Sequence, residues 1–135
     1  MKGLLSDANI EGHVRYLAAI LEGDIWQEIW ASLRLSLQFF RDVGLLEDAS
    51  DAIVWLWCQQ HDVILVTANR NDDGPDSLES TIRNQIAMNS LPVFTLADPD
   101  RVLEDRNYAE QVVVRMLEYL LDIDCVRGAG RLYLP

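Results

Sequence analysis

Residues 63–73 constrain the fold of this chain more than any other segment. They begin with an uninterrupted aliphatic run at 63–66 and then become strongly polar. A short strand that is apolar at every position is typical of a parallel sheet covered on both faces. Ligands of such sheets bind beyond the carboxyl ends of the strands. The segment therefore predicts an α/β fold with its site at the polar residues Asn69, Asn71, Asp72 and Asp73.

Two further segments have the layout of a strand that ends in oxygen-bearing side chains. Leu4 and Leu5 are followed by Asp7 and Asn9, and the apolar segment 92–97 is followed by Asp98. The apolar run at 35–40 is compatible with a short strand of its own. We therefore predict strands near 3–7, 35–40, 63–68 and 92–97, with the first, third and fourth as parallel neighbours in one sheet.

Helical patterns occupy the intervals between these strands. Apolar residues recur at i, i+3, i+4 and i+7 before Gly23, and the longest such stripe runs from about Arg106 to Asp122 and includes Leu121. The expected N-caps are Asp24, Ser50 or Asp51, and Ser77, whose helix would turn Leu78, Ile82, Ile86 and Met88 inward. Alternating strands and helices predict one domain over 1–135, with an α/β fold and a mostly parallel sheet. The tail 127–135 is expected to be extended or looped.

Charge and hydrophobicity exclude several classes of protein. The 22 Asp and Glu residues against 11 Lys and Arg give a formal net charge of −11, which argues against a protein that coats nucleic acid. No apolar run approaches the roughly 18 residues of a membrane helix, and Asp7 follows the start too closely for a secretory signal. Cys58 and Cys125 are expected to be free thiols. Together these features predict a cytoplasmic protein with no membrane segment.

The helix predicted at 50–60 is apolar on nearly all sides. Trp55 and Trp57 cannot share a face at a spacing of two residues, so one of them is expected to contact something other than the main core. This helix is either fully buried or packed against a second subunit. We predict a homodimer.

Several acids are expected at the edge of the sheet where its strands end. They are Asp7, Asp51, Asp72, Asp73 and Asp98. Carboxylates that are brought together repel one another, and a divalent cation such as Mg²⁺ or Mn²⁺ keeps them ionised. Simpler interpretations stay open, because Asp51 could be an N-cap and Asp72 and Asp73 a solvated turn. Likewise Arg70, Arg83, Arg101, Arg127 and Arg131 would either line a phosphate path or be solvated and salt-bridged.

The order of these segments resembles the PIN-like nuclease-fold family. The likeness covers roughly residues 2–100 and is strongest to a small branch with a strand-end Asp, a Ser-Asp helix start and a strand closing in Thr-x-Asp-x-Asp-Phe. Here these are Asp7, Ser50-Asp51 and the segment from Thr67. The resemblance implies a three-layer α/β fold whose mostly parallel central sheet has four to five strands. It also implies a Mg²⁺- or Mn²⁺-dependent site that cuts RNA, often in the toxin of a toxin–antitoxin pair with a protein antitoxin as partner. Asp7 and Asp51 match two of the family acids.

The chain departs from that pattern after Thr67. Asn69 and Asn71 stand where the family has Asp, and Asp72 stands where it has Phe. An Asn side chain offers a carbonyl oxygen to a metal but carries no charge and cannot act as a base. Either Asp72 or Asp73 has taken over, or the activity is altered or lost.

Two hypotheses follow from the sequence. The first is a metal-dependent ribonuclease with Asp7, Asp51, Asp72 and Asp73 as catalytic residues. Its metal ligands would be Asp7, Asp51 and Asn69, and its substrate contacts would be Asn9, Asn69, Arg70 and Asn71. The second is a catalytically inactive PIN-like module that binds a protein or a nucleotide.

Overall fold

The computed structural model describes residues 1–70, 74 and 77–135 of the chain. Within these residues the core is a five-stranded parallel sheet of order β2-β1-β3-β4-β5. The strands are β1 (Gly3–Ser6), β2 (Ser36–Phe39), β3 (Val63–Thr67), β4 (Val93–Leu96) and β5 (Arg131–Leu134). The predicted α/β class and the parallel pairing of strands near 3–7, 63–68 and 92–97 are therefore confirmed.

Helices cover both faces of the sheet, as three layers require. They are α1 (Glu11–Leu21), α2 (Gln27–Leu33), α3 (Phe40–Val43), α4 (Asp51–Gln60), α5 (Leu78–Gln85), α6 (Pro99–Glu104), α7 (Arg106–Leu121) and α8 (Ile123–Val126). A short 3-10 helix, Ala8–Ile10, joins β1 to α1. Among the described helices, none combines the length and apolar character needed to cross a membrane.

The central strands alternate their side chains between two apolar clusters. Leu4, Ile64 and Phe94 face α1 and α7, whereas Leu5 and Leu65 face α4 and α5. Every residue of β1, β3 and β4 is buried, which explains why these strands are mostly apolar, with Ser6, Thr67 and Thr95 as their buried polar residues. Asp7 and Thr67 come two positions after Leu5 and Leu65. By the same alternation, their side chains point to the face that α4 and α5 cover.

The tail forms an edge strand. Gly128 and Gly130 both have a φ of 82°, a backbone conformation that favours glycine, and they turn the chain into β5. β5 pairs in parallel with the whole of β4, from Val93↔Arg131 to Leu96↔Leu134. Of the two forms expected for the tail, the extended one is therefore correct for residues 131–134.

Several expectations about helix ends and faces are wrong. Trp26 rather than Asp24 is the N-cap of α2 and makes no side-chain cap, because the chain first turns through Gly23. Leu121 and Met88 are exposed, at 62% and 94%, since α7 ends at Leu121 and α5 ends before Met88. Ile86, just beyond α5, is also exposed.

Candidate functional site

The strand order places a topological switch point between β1 and β3. The chain leaves β1 to form β2 on one side and later returns to form β3, β4 and β5 on the other. Connections diverge at such a point, which leaves a crevice beyond the carboxyl ends of the two central strands. The residues that follow β1 and β3 are Asp7 and Asn69, so both predicted ligands lie at this place.

Asp7 continues β1 by one residue and turns its carboxylate back toward β3. Its backbone N–H donates to the carbonyl of Val66 at 2.9 Å, as a residue of the sheet would. Oδ1 accepts from the N–H of Ala8 at 2.8 Å and so caps the 3-10 helix. Oδ2 accepts from the hydroxyl of the buried Thr67 at 2.6 Å. The carboxylate is thus fixed between β1 and β3.

Asp51 lies in the first turn of α4 but does not cap it. Ser50 is the N-cap, and its Oγ accepts from the N–H of Ile53 at 3.3 Å. Asp51 Oδ2 instead accepts from Nδ2 of Asn69 at 3.0 Å and from the N–H of Leu78 at 3.1 Å. Interpreting Asp51 as a helix cap is therefore wrong, because its carboxylate is directed to the residues that follow β3.

Thr67 and Asn69 connect the two carboxylates. The N–H of Asn69 donates to Oγ1 of Thr67 at 2.9 Å, and that hydroxyl in turn donates to Asp7. The side-chain amide of the same Asn69 reaches Asp51. Hydrogen bonds therefore run without a break from Asp7 through Thr67 and Asn69 to Asp51.

The electrostatics of this group favour a positive ligand. Burial raises the pKa of Asp7, and the charge of Asp51 raises it further, although hydrogen bonds from Thr67 and Ala8 oppose the shift. Burial also raises the pKa of the neighbouring Cys58 thiol to about 12, with Asp7 adding to the effect, so this cysteine stays protonated and inert. A cation between the two carboxylates would offset their repulsion.

The described residues offer two carboxylates at this place, those of Asp7 and Asp51, rather than a closed metal cage. No group of three or more His, Cys, Asp or Glu side chains suited to a metal occurs in ranges 1–70, 74 and 77–135. Mg²⁺ keeps several waters and uses one or two carboxylates together with substrate phosphates, so a pair of acids is enough. The hydrogen bonds that Asp51 accepts from described residues both end on Oδ2, which leaves Oδ1 for a ligand.

A second polar cluster adjoins the first on the same face of the sheet. The side chain of Arg131, only 7% exposed, extends from β5 and donates from Nε to Glu79 Oε1 at 2.5 Å. Its Nη1 donates to the carbonyl of Asn69 and to Oγ1 of the buried Thr95, both at 2.7 Å. Nη2 is buried and has no hydrogen-bond partner in the part of the chain that the structure describes.

The remaining predicted residues fall into two groups. Asn9 and Arg70 are exposed near the crevice, and Asp98 is an exposed cap of α6 that accepts from the N–H of Arg101 at 3.2 Å. Asp98 therefore has an ordinary structural role. Asn71, Asp72 and Asp73 lie outside the described residues.

Three of the five arginines considered above for a phosphate path form ion pairs instead. Arg131 is buried and salt-bridged, and Arg127 pairs with Asp124 and Asp62 and donates to the carbonyl of Asn89. Arg101 pairs with Asp105 on the surface. Among these three, the salt-bridged alternative is correct.

Three residues that hold the two clusters together were not predicted from the sequence to do so. Thr67, Thr95 and Glu79 hold the two clusters together, and Thr67 and Thr95 are register partners on neighbouring strands. A signal was present, because each Thr interrupts an apolar strand at its carboxyl end, and a buried hydroxyl needs a partner.

Comparisons of the chain with family models, with curated proteins and with solved structures gave no significant match.

Proposed function

We propose that this chain is a divalent-metal-dependent phosphodiesterase that cleaves RNA. The observation that carries the proposal is the connected group of Asp7, Thr67, Asn69 and Asp51 at the switch point of a parallel sheet. Bringing two carboxylates together in a part-buried site costs stability, and a bound cation would offset that cost. Mg²⁺ or Mn²⁺ would supply a polarised water and offset the charge of a phosphate.

Hydrogen bonds from other residues of the protein would hold the two carboxylates in the direction that this chemistry needs. Thr67 fixes the direction of Asp7 by donating to Oδ2, and the N–H of Leu78 fixes Asp51 from the start of α5. Asn69 contributes an amide, which can act as a neutral ligand or hydrogen-bond partner but not as a base. Asp72 and Asp73 remain proposed as the additional acids of the site.

The choice of RNA and of partners rests on the PIN-like resemblance. Asp7, the Ser50-Asp51 pair and the Thr67 segment match the motif order of that family, and the parallel sheet is compatible with it. An antitoxin-type protein partner is proposed on the same basis. The net charge of −11 indicates that the substrate is bound locally at the crevice rather than over a broad basic surface.

Asp51→Asn tests the proposal directly. We expect the wild-type protein to cleave a single-stranded RNA in the presence of Mn²⁺ or Mg²⁺ and to show no cleavage when a chelator is added. The Asp51→Asn variant should lose more than about 100-fold in rate, because changes outside the ligand shell already cost about 10–100-fold. Gel assays of a labelled oligonucleotide would measure this.

Asp98→Asn is the matched control. Asp98 is also an acid that follows a strand, but it caps α6, and Asn caps a helix as well as Asp does. Its cleavage rate should stay within about twofold of wild type. Equal activity of Asp51→Asn and wild type would contradict the proposed role of Asp51.

A catalytically inactive binding module is the second candidate. One observation favours it: the amide of Asn69 already bonds Asp51, where the family has a charged Asp. In that case the wild-type protein would leave RNA intact in Mn²⁺ while Asp7 and Asp51 still influence ligand binding. The cleavage assay therefore separates the two candidates.

We also propose that α4 contributes to a homodimer. Trp55 is buried, and Trp57 packs partly buried against the same apolar cluster and stacks on His61 with ring centroids 4.1 Å apart. Ile53 and Leu56 remain 57% and 42% exposed on the same helix. Apolar residues that cluster on one surface are typical of subunit contacts.

Ile53→Glu should disrupt this dimer. Two copies of an added carboxylate would be buried at the proposed contact, so we expect a shift from dimer to monomer in sedimentation velocity at tens of micromolar protein. Leu121→Glu, at an exposed leucine on α7, is the control and should leave the association unchanged. A wild-type protein that is monomeric at these concentrations would refute the dimer.

A further inference from the structure

We infer that Arg131 is a positioning residue that sets the conformation of Asn69 and, through it, the contact with Asp51. The inference concerns a residue at the far edge of the sheet, in a tail that the PIN-like resemblance does not cover. Its metal-binding consequence rests on the proposed function, whereas its structural consequence does not.

The sheet itself does not hold Asn69 in place. β3 ends at Thr67, and its pairing with β4 consists of Val66↔Phe94 and Thr67↔Thr95. Asn69 therefore lies beyond the last pair of that ladder. A backbone that leaves a sheet needs other partners for its polar groups.

Two bonds provide those partners on opposite sides of the residue. The N–H of Asn69 donates to Thr67 Oγ1 at 2.9 Å, and its carbonyl accepts from Arg131 Nη1 at 2.7 Å. With both backbone groups fixed, the side chain is directed to Asp51, where Nδ2 lies 3.0 Å from Oδ2. Removing the guanidinium takes away the bond that Arg131 makes to the carbonyl of Asn69.

Arg131 is itself held rigidly enough for this role. Its side chain is 7% exposed, and Nε and Nη1 together bind Glu79 on α5, Thr95 on β4 and the Asn69 carbonyl. Three partners in different directions require a planar, fixed fork of donors, which arginine has and lysine lacks. The guanidinium thereby joins β5, β4 and α5 to the residues that follow β3.

Two substitutions distinguish positioning from charge pairing. Arg131→Lys keeps a cation beside Glu79 but cannot reach all three partners, and Arg131→Met removes the charge as well. Arg127→Lys and Arg127→Met are matched controls. Arg127 also forms ion pairs and donates to a backbone carbonyl, that of Asn89, but it contacts neither Asn69 nor Asp51.

The first measurement is the side-chain amide signal of Asn69 in an assigned ¹H–¹⁵N spectrum of the metal-free protein. A hydrogen bond to a carboxylate gives this amide a distinct position. We expect both Arg131 variants to move it away from its wild-type position and both Arg127 variants to leave it unchanged. A merely structural role for Arg131 would lower the stability of the two Arg131 variants without moving this signal.

The second measurement is the Mn²⁺ affinity by calorimetry. Both Arg131 variants should bind about 10–100-fold more weakly than wild type, the usual effect of losing a residue that orients a ligand. The Arg127 variants should stay within about twofold. If Arg131→Met does not fold, Arg131→Lys decides the question, because it retains the charge opposite Glu79.

The outcomes separate this inference from the proposed function. Absence of Mn²⁺ binding in the wild-type protein would count against the metal-dependent function alone, and the Asn69 signal would still test Arg131. An Asn69 signal unchanged in a folded Arg131→Lys protein would overturn the inference, whatever the metal binding.

Discussion

Asp7→Asn should abolish metal-dependent cleavage and at the same time raise the melting temperature of the metal-free protein. The loss of activity is expected to exceed about 100-fold, because the variant removes one of the two carboxylates that would hold the cation. The gain in stability has a separate cause, which is the cost of burying the ionised carboxylate of Asp7 near Asp51. Opposite changes in activity and stability are characteristic of residues that are retained for function.

The sign of the stability change follows from the raised pKa of Asp7. Burial and the neighbouring Asp51 make the folded protein hold this proton more tightly than the unfolded chain does, whose reference value is 3.8. The contribution of Asp7 to stability is therefore most favourable below that value and declines as the pH rises through the raised pKa. Asn is neutral at every pH and of the same size, and Thr67 can reorient its hydroxyl to accept from it.

Thermal unfolding in chelator from about pH 3.5 to 8 would measure this effect, since the range spans the reference value for Asp. We expect the curves of wild type and Asp7→Asn to converge at the acidic end and to separate toward neutrality, with the variant more stable. A change of 1 kcal/mol corresponds to about 2–8 °C in a domain of this size. Asp98→Asn should follow the wild type throughout. A destabilised Asp7→Asn protein at neutral pH would mean that Asp7 is a structural residue.

The sequence was sufficient to predict the α/β fold and the edge of the sheet at which the candidate site lies. The all-apolar strand at 63–66 required cover on both faces, and the acids and amides after two such strands had to emerge at one edge of a parallel sheet. For this reason the places of Asp7, Asp51 and Asn69 were predicted from local patterns. Whether Asp51 or Ser50 caps α4 could not be decided, because both residue types cap helices.

The sequence was insufficient where contacts join distant segments. Arg131 meets Thr95 across 36 positions, Glu79 across 52 and the Asn69 carbonyl across 62. Nothing in the local pattern of the tail distinguishes this arginine from Arg127, which lies four residues earlier. The parallel register of β5 on β4 places Arg131 beneath the site, whereas Arg127 precedes β5 and lies outside the site.

Thr67→Val should destabilise the protein by about 1–3 kcal/mol, because it removes two hydrogen bonds to part-buried groups. The Asn69 N–H loses its acceptor, and Asp7 loses the donor that opposes the rise of its pKa. Val fills the same volume and suits a strand, so neither a cavity nor a loss of strand propensity contributes. Mn²⁺ affinity should fall as well, by about 10–100-fold.

Thr81→Val provides the comparison for a buried threonine outside the site. Thr81 is 2% exposed and donates to the carbonyl of Ser77 within its own helix, a bond whose loss costs little. Urea unfolding of both variants should show the larger loss for Thr67→Val at pH 7. Its loss should shrink as the pH falls through the raised pKa of Asp7, since the bond is strongest to the ionised carboxylate. A loss equal to that of Thr81→Val and independent of pH would show that the hydroxyl of Thr67 does not anchor Asp7. The path from Asp7 to Asp51 would then no longer explain how the site is held together.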